Sequence, residues 1–139
     1  MNAFAPALVA LSAAIILLLG LLHLLYTFRG PKLRPRDADL EARMKEVSPV
    51  ITRQTTMWKA WVGFNASHSY GAIFFGVVYG YLALVHSAFL FRSTTLLAVG
   101  ALLLAGYTFL GKRYWFSIPL RGIVLALVAY LGALVLASL

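Results

Sequence analysis

The chain has 139 residues, of which 62% are hydrophobic and 12% are charged, and its formal net charge is +8. Soluble domains are about 25% charged, so this composition indicates an integral membrane protein without a separate soluble domain. The absence of cysteine excludes disulfide bonds, thiolate metal ligands and thiol nucleophiles. The basic residues flank apolar segments, where membrane orientation and anionic lipid headgroups account for them. We therefore expect membrane lipids, and no nucleic acid, as partners.

Four apolar segments are long enough to be membrane spans, because crossing about 30 Å of hydrocarbon takes roughly 20 residues. The predicted spans are about 4–28, 58–89, 93–111 and 115–138, with a loop at about 29–57. The sequence thus predicts an all-α fold, a single domain over 1–139 built as a bundle of four transmembrane helices. The first segment is interpreted as a span and not as a signal peptide, because no basic region precedes its long apolar run.

The loop after the first span combines an irregular stretch with a short helix. Two prolines and a glycine interrupt residues 29–36, which excludes a regular helix there. Acidic residues from Asp37 onwards and basic residues at Arg43 and Lys45 suit the dipole of a helix that ends before Pro49. Its apolar side chains recur at helical spacing, so we expect an amphipathic helix along the cytoplasmic membrane interface. From about Val50 the sequence is compatible with a helix leading into the second span.

The basic residues predict the orientation of the bundle. Eight of the twelve lysines and arginines lie in 29–59, and Lys112 and Arg113 follow the third span, whereas the opposite loop holds only Arg92. Cytoplasmic loops carry the excess of positive charge. Both of the basic loops are therefore predicted to be cytoplasmic, and both termini to lie outside the cytoplasm.

The second span carries polar groups in a stretch of 32 residues, Ala60–Phe91, that has no charged side chain. Asn65 and His68 are three residues apart and share a helical face. Trp61, Ala72, Phe75 and Tyr79 continue that face, and His86 falls on it if the helix is continuous. Such a face is costly toward lipid, so we expect it to point into the bundle.

Other spans offer polar side chains at a similar depth. His23 lies about one turn inside the cytoplasmic end of the first span, and Arg121 lies at the corresponding end of the fourth. In the third span, one stripe consists of Gly100, Leu104, Thr108 and Gly111. Depth and facing therefore predict that His23, Asn65, His68, Thr108 and Arg121 converge in the cytoplasmic half of the bundle.

The first functional hypothesis is a pocket that binds, and in one version modifies, a lipid-like or amphiphilic small molecule. His68 would be the catalytic acid or base, because its pKa suits neutral pH, and Asn65 would orient it. His23, Arg121, Thr108 and Arg113 would bind the ligand, with the arginines holding an anionic headgroup. No span contains a carboxylate, and no metal site is expected. The residues leave open whether the chain is an enzyme, which cofactor it uses and which ligand it takes.

Two other hypotheses remain. His23 and His68 on different spans could ligate haem b, with Gly20 and Gly71 leaving room for the ring and Arg121 pairing with a propionate. Alternatively, the chain is a non-catalytic structural subunit or homo-oligomer that associates through glycine-lined faces. In that case Asn65 and His68 form an interhelical hydrogen-bond pair, and His23 and Arg121 reach toward the interface.

Three stretches resemble a family of small, uncharacterised bacterial four-span membrane proteins. They are His23–Lys32, Thr52–Trp58 and Gly63–Ser69, the last containing Asn-x-x-His. The resemblance covers the first two-thirds of the chain and implies a bacterial inner-membrane protein, with no activity attached. In architecture alone, four short spans and an arginine-bearing loop are similar to the membrane-associated eicosanoid and glutathione metabolism proteins. Their acidic second-span pattern is replaced here by Asn65–His68, so the similarity implies no glutathione binding.

Overall fold

The computed structural model describes residues 4–138, of which 83% are helical, with no strand among them. The helices are α1 (Phe4–Phe28), α2 (Ala38–Glu46), α3 (Met57–Val85), α4 (Ser87–Arg92), α5 (Thr94–Tyr114) and α6 (Ser117–Ser138). Within the described range, α1, α3, α5 and α6 are long and apolar enough to cross a membrane. The predicted all-α fold with four candidate spans is confirmed. The two ends of the predicted 1–139 domain, residues 1–3 and 139, lie outside the described residues.

Helix α3 is shorter than the predicted span 58–89. It ends at Val85, because the backbone of His86 leaves the helical region, with φ −128° and ψ 41°. His86 still donates its amide proton to the carbonyl of Leu82 (3.0 Å), and its own carbonyl accepts from Leu90 (3.0 Å), so it joins α3 to the short helix α4. Hydropathy does not register this break, since the residues on both sides of it are apolar. The prediction that His86 lies on the same face as His68 assumed a continuous helix. Because α3 ends before His86, helical spacing no longer supports that prediction.

The other span boundaries differ by a few residues. Helix α5 continues past the predicted end at 111 to Tyr114, and α6 begins at Ser117 and not at 115. Lys112 and Arg113 occupy the last turn of α5, where cations interact favourably with the helix dipole. These two basic residues therefore belong to the helix itself and not to the loop that follows it.

The segment from Val50 to Thr56 is irregular, which corrects the expectation of a helix beginning near Val50. Thr52 donates its amide proton to the carbonyl of Pro49 (3.2 Å), and the Thr52 hydroxyl accepts from the amide of Gln54 (3.1 Å). Threonine side chains that bond the nearby backbone stabilise turns in competition with helices. Helix α3 consequently starts only at Met57.

The described residues divide into two compact units: residues 4–19 and 72–138, here named the bundle unit, and residues 20–71, the loop unit. The core of the bundle unit contains the predicted face of α3, with Ala72, Phe75 and Tyr79 only 6%, 3% and 6% exposed. The predicted stripe of α5 is also buried at Gly100, Leu104 and Gly111. Helical periodicity thus identified the inward face of α5 and that of α3 over 72–79 correctly, whereas Trp61 on the same predicted face of α3 is 44% exposed.

Two glycines permit close approaches in the bundle unit. A Cβ atom at position 76 would lie 2.5 Å from the Cβ of Leu17 and 2.8 Å from the carbonyl oxygen of Ala13. A Cβ atom at position 100 would overlap the hydroxyl of Tyr130. Small residues let the backbones of membrane helices approach each other. Position 76 has this role between α3 and α1.

In the loop unit, α2 begins as the sequence predicts. The Asp37 side chain caps the helix by accepting from the amides of Asp39 (2.9 Å) and Leu40 (3.3 Å). No residue of α2 is buried, and Leu40 is 51% exposed. Leu40 on the apolar side of this helix is therefore largely uncovered by the chain, which is compatible with an interfacial helix.

Candidate functional site

Three of the predicted site residues meet in the loop unit. His23 lies on α1, and Asn65 and His68 lie one turn apart on α3; all three are half-buried. The Nε2 atom of His23 is 2.9 Å from Oδ1 of Asn65. The His23 and His68 rings are in edge-to-face contact, with centroids 5.3 Å apart and planes at 83°. The predicted convergence of these three residues therefore exists in the structure.

The hydrogen bonds of Asn65 define the tautomer of His23. Asn65 donates from Nδ2 to the carbonyl oxygen of Trp61 at 2.8 Å, which leaves Oδ1 as the acceptor toward His23. His23 must then donate from Nε2, because an amide oxygen has no proton to give. The neutral imidazole accordingly carries its proton on Nε2 and a lone pair on Nδ1. The sequence expectation was that Asn65 orients His68, whereas the bond in the structure goes to His23.

The hydroxyl groups near this cluster donate within their own helices. Thr27 donates to the carbonyl of His23 (2.8 Å), and Ser69 donates to the carbonyl of Asn65 (2.9 Å). Ser67 does the same with Phe64 (2.9 Å). Because their protons are committed to the backbone, these side chains offer only acceptor capacity to a ligand.

A cavity of about 240 Å³ lies in the loop unit, with Asn65 in its wall. Its lining comes from the end of α1, the following loop and the first turns of α3: Tyr26, Thr27, Phe28, Gly30, Leu33, Arg34, Trp58, Trp61, Val62 and Asn65. The lining combines aromatic surface with one guanidinium group and includes no carboxylate. Asn65 thus connects the cavity to the two histidines.

The loop wall of the cavity is held in place by a few defined contacts. Trp61 donates from Nε1 to the carbonyl of Leu33 at 3.0 Å, which ties the loop to α3. The ammonium group of Lys32 lies 3.9 Å from the centre of the Tyr26 ring. Gly30 has φ +81°, the left-handed conformation that commonly ends a helix and that glycine adopts without strain. This glycine lets the chain turn back over the end of α1.

A second, more open and mainly apolar cavity of about 290 Å³ lies beside α2. It is lined by Leu33, Arg34, Pro35, Leu40, Met44 and Trp61. Arg34 and Trp61 therefore face both cavities. The guanidinium of Arg34 is 3.8 Å from the carboxylate of Glu41, which also accepts from Lys45 at 2.6 Å. The hydrogen bond from Lys45 holds the pKa of Glu41 below its ordinary value of 4.5.

The remaining predicted ligand-binding residues belong to the bundle unit. Thr108 is on α5 and donates its hydroxyl proton to the carbonyl of Leu104 at 2.8 Å. Arg113, in the last turn of α5, and Arg121, near the start of α6, are exposed. Their role toward a ligand stays a prediction.

Sequence reasoning missed most of the cavity lining. Trp61 was placed on the inward face of the second span, Trp58 was given no role in the site, and Arg34 was counted only as part of the cytoplasmic charge. The available signal was a pair of aromatic residues just before Gly30 and Pro31, with basic residues on both sides of this turn. The chain reverses direction at that turn and so brings the lining residues together. Helical periodicity predicts which residues share a helix face, but it does not predict the course of a loop.

The cluster meets one requirement of the haem hypothesis and conflicts with another. Two histidines from different helices are close, but haem ligation needs them on opposite sides of the porphyrin plane. Here the rings touch each other, and Nε2 of His23 is bonded to Asn65. The two imidazole rings would have to separate to admit the porphyrin between them. Within residues 4–138, no group of three or more His, Cys, Asp or Glu side chains is arranged to hold a metal ion.

The sequence matches no protein-family profile, and neither a curated protein nor a solved structure is similar to the chain. The resemblance to small bacterial four-span proteins stays a prediction. The function must be argued from the site.

Proposed function

We propose that this chain is a bacterial inner-membrane protein that binds a lipid-like or amphiphilic small molecule in a polar pocket at the cytoplasmic ends of its spans. Both termini are then outside the cytoplasm. The observation that carries the proposal is the cavity beside Asn65, where aromatic surface, the Arg34 guanidinium and the histidine cluster adjoin. The basic loop at the same end of α1 and α3 supports the cytoplasmic assignment.

The size of the cavity favours a headgroup as the part of the ligand that enters. Sites for drug-sized ligands measure roughly 300–1,000 Å³, whereas this cavity measures about 240 Å³. An acyl tail would lie along exposed apolar side chains of the same unit, such as Leu25 (46% exposed) and Phe28 (65% exposed). A polar headgroup in the cavity and an apolar tail outside it are the arrangement expected for an amphiphile.

The charge of the lining favours an anionic headgroup. Arg34 supplies the guanidinium, which binds phosphate and carboxylate groups through paired donors. Its partner Glu41 is shared with Lys45, so the ion pair at 3.8 Å leaves guanidinium donors for a ligand. We assign to Arg34 the headgroup role that sequence reasoning gave to Arg121 and Arg113.

If the pocket also modifies its ligand, the imidazoles carry the chemistry. All four acidic residues lie in 37–46, outside the candidate spans. His68 is then the acid or base, and His23, held by Asn65, is its neighbour. Replacement of His68 by alanine is expected to abolish retention of the ligand and to leave expression intact.

A titration by native mass spectrometry tests the binding proposal with short-chain phosphatidylglycerol as the anionic probe and phosphatidylcholine as the neutral one. Arg34→Gln is expected to weaken phosphatidylglycerol binding about tenfold, since a charge-assisted hydrogen bond is lost. Arg36→Gln is the matched control, because Arg36 is an exposed arginine of the same loop and does not line the cavity. Equal losses in both variants would show nonspecific charge attraction and overturn the assignment of the pocket.

A structural role is the second candidate, and the bond between His23 and Asn65 favours it, because it joins α1 to α3. Under this alternative the purified protein is colourless, carries no stoichiometric lipid and forms a defined oligomer. A Soret band that disappears in His23→Ala and in His68→Ala would instead establish haem binding. One absorption spectrum followed by mass spectrometry on the same sample separates the three outcomes.

A further inference from the structure

The segment between α2 and α3 forms a closed loop with a defined base. The amide of Met57 donates to the carbonyl of Val47 at 2.8 Å, which joins the two ends of the loop. A turn in which the carbonyl of Pro49 accepts from Thr52 lies inside it. Backbone hydrogen bonds therefore define the base of the loop and the turn that carries its tip.

The tip of this loop presents two aliphatic side chains without cover from the chain. Val50 is 108% exposed and Ile51 is 90% exposed, more than the exposed aromatic residues of the spans, such as Phe64 at 76%. Exposure of the span residues follows from their contact with lipid. The tip lies outside the helices, so its exposure needs a separate reason.

The charges around the tip identify the surface that covers it. After the tip, Arg53 and Lys59 are both exposed, and the acidic residue that precedes the loop, Glu46, is paired with Arg43 at 3.2 Å. Ile51 lies six positions before Met57, the first residue of α3, so the tip lies within about 20 Å of the start of that span. The apolar tip is followed by two cationic side chains, Arg53 and Lys59, that form no ion pair within residues 4–138. Such a tip, tethered this close to a span, is complementary to an anionic bilayer surface.

We propose that Val50 and Ile51 insert into the boundary between headgroups and acyl chains of the leaflet at this end of the spans, with Arg53 and Lys59 at the lipid phosphates. The loop then contacts the membrane surface in addition to the spans and to α2, at a place separate from the cavity. This inference does not depend on the proposed ligand.

The absence of cysteine permits a direct test by site-specific labelling. Ile51→Cys carries an environment-sensitive fluorophore, and Gln54→Cys, an exposed polar position of the same loop, carries the same fluorophore as the matched control. Both are placed in nanodiscs of equal parts phosphatidylglycerol and phosphatidylcholine. Only variants that elute like the unmodified protein in size-exclusion chromatography are compared.

The probe at 51 is expected to emit at shorter wavelength than the probe at 54 and to be quenched by brominated lipid more than by aqueous iodide. Arg53→Gln should reduce the lipid quenching at 51 in these discs. A probe at 51 that is quenched by iodide as strongly as the probe at 54 overturns the proposal and leaves the tip to a protein partner.

Discussion

At the scale of single residues, Asn65 determines the chemistry of the cluster. Its amide is bonded on one side to the backbone of its own helix and on the other to His23. One side chain thus fixes the orientation of a histidine on another helix and forms part of the cavity wall. A small change at this position is therefore expected to affect stability and, under the proposed function, ligand binding together.

Coupling between His23 and Asn65 is the first prediction at this scale. We expect His23→Phe and Asn65→Leu each to destabilise the protein, and the double variant to lose less than the sum. Interhelical hydrogen bonds in membrane proteins contribute about 0.6–2 kcal/mol, which is the expected coupling. Unfolding of the four proteins in mixed micelles measures it. Additive losses would mean that the bond has no net effect on stability.

Two fully buried serines provide the second prediction. Ser12 and Ser69 are both 0% exposed, but Ser69 donates to a backbone carbonyl, whereas the Ser12 hydroxyl has no hydrogen-bond partner among the described residues. Ser12→Ala removes an unsatisfied polar group and is expected to stabilise the protein by about 1 kcal/mol. Ser69→Ala removes a bond and should cost about 0.5–1.5 kcal/mol. Thermal unfolding in detergent compares them, and equal shifts would contradict the expectation.

At the scale of elements, the sequence predicted helices better than their ends. Asp37 and the acidic first turn of α2 were readable because capping is a local interaction. The break at His86 and the irregular segment 50–56 were not readable. The residues on both sides of each segment tolerate helical and irregular backbone equally well. Which backbone conformation forms depends on hydrogen bonds between residues distant in sequence, such as the one from the Met57 amide to the Val47 carbonyl.

A pair of glycines tests the turn that closes the cavity. Gly30 and Gly63 both have open space where a Cβ would be, but only Gly30 has positive φ. Gly30→Ala is therefore expected to destabilise the protein by about 1–2 kcal/mol through backbone strain alone. Gly63→Ala, inside α3, should stabilise it by about 0.5–1 kcal/mol. Chemical unfolding measures both, and a stabilising Gly30→Ala would show that the turn is not needed.

At the scale of the whole molecule, hydropathy and charge were sufficient to predict the fold class. They predicted only part of the candidate site. Spans are set by composition over about 20 residues, which a sequence displays directly. His23, Asn65 and His68 were found because depth and helical facing are also local properties. Arg34 and Trp61 were not, because the turn after α1 brings them to the cavity, and its course depends on the tertiary bond from Trp61 to Leu33.

The proposed orientation gives the last prediction. Single cysteines are expected to be labelled by a membrane-impermeant maleimide from the cytoplasmic side at Ala42 and from the opposite side at Ser93. Positive-inside bias is the physical basis, because 29–59 carries eight basic residues, whereas the stretch from the end of α3 to the start of α5 carries only Arg92. Right-side-out and inside-out vesicles provide the comparison. The reverse labelling pattern would place both termini in the cytoplasm.

The close approach at Gly76 constrains how this sequence can diverge. A side chain at 76 meets the Leu17 side chain and also the backbone oxygen of Ala13. A smaller residue at 17 removes only the first obstacle, so no single compensating substitution makes position 76 free to vary. Descendants of this chain are therefore expected to keep glycine there, or to change the spacing of α1 and α3 through several linked substitutions.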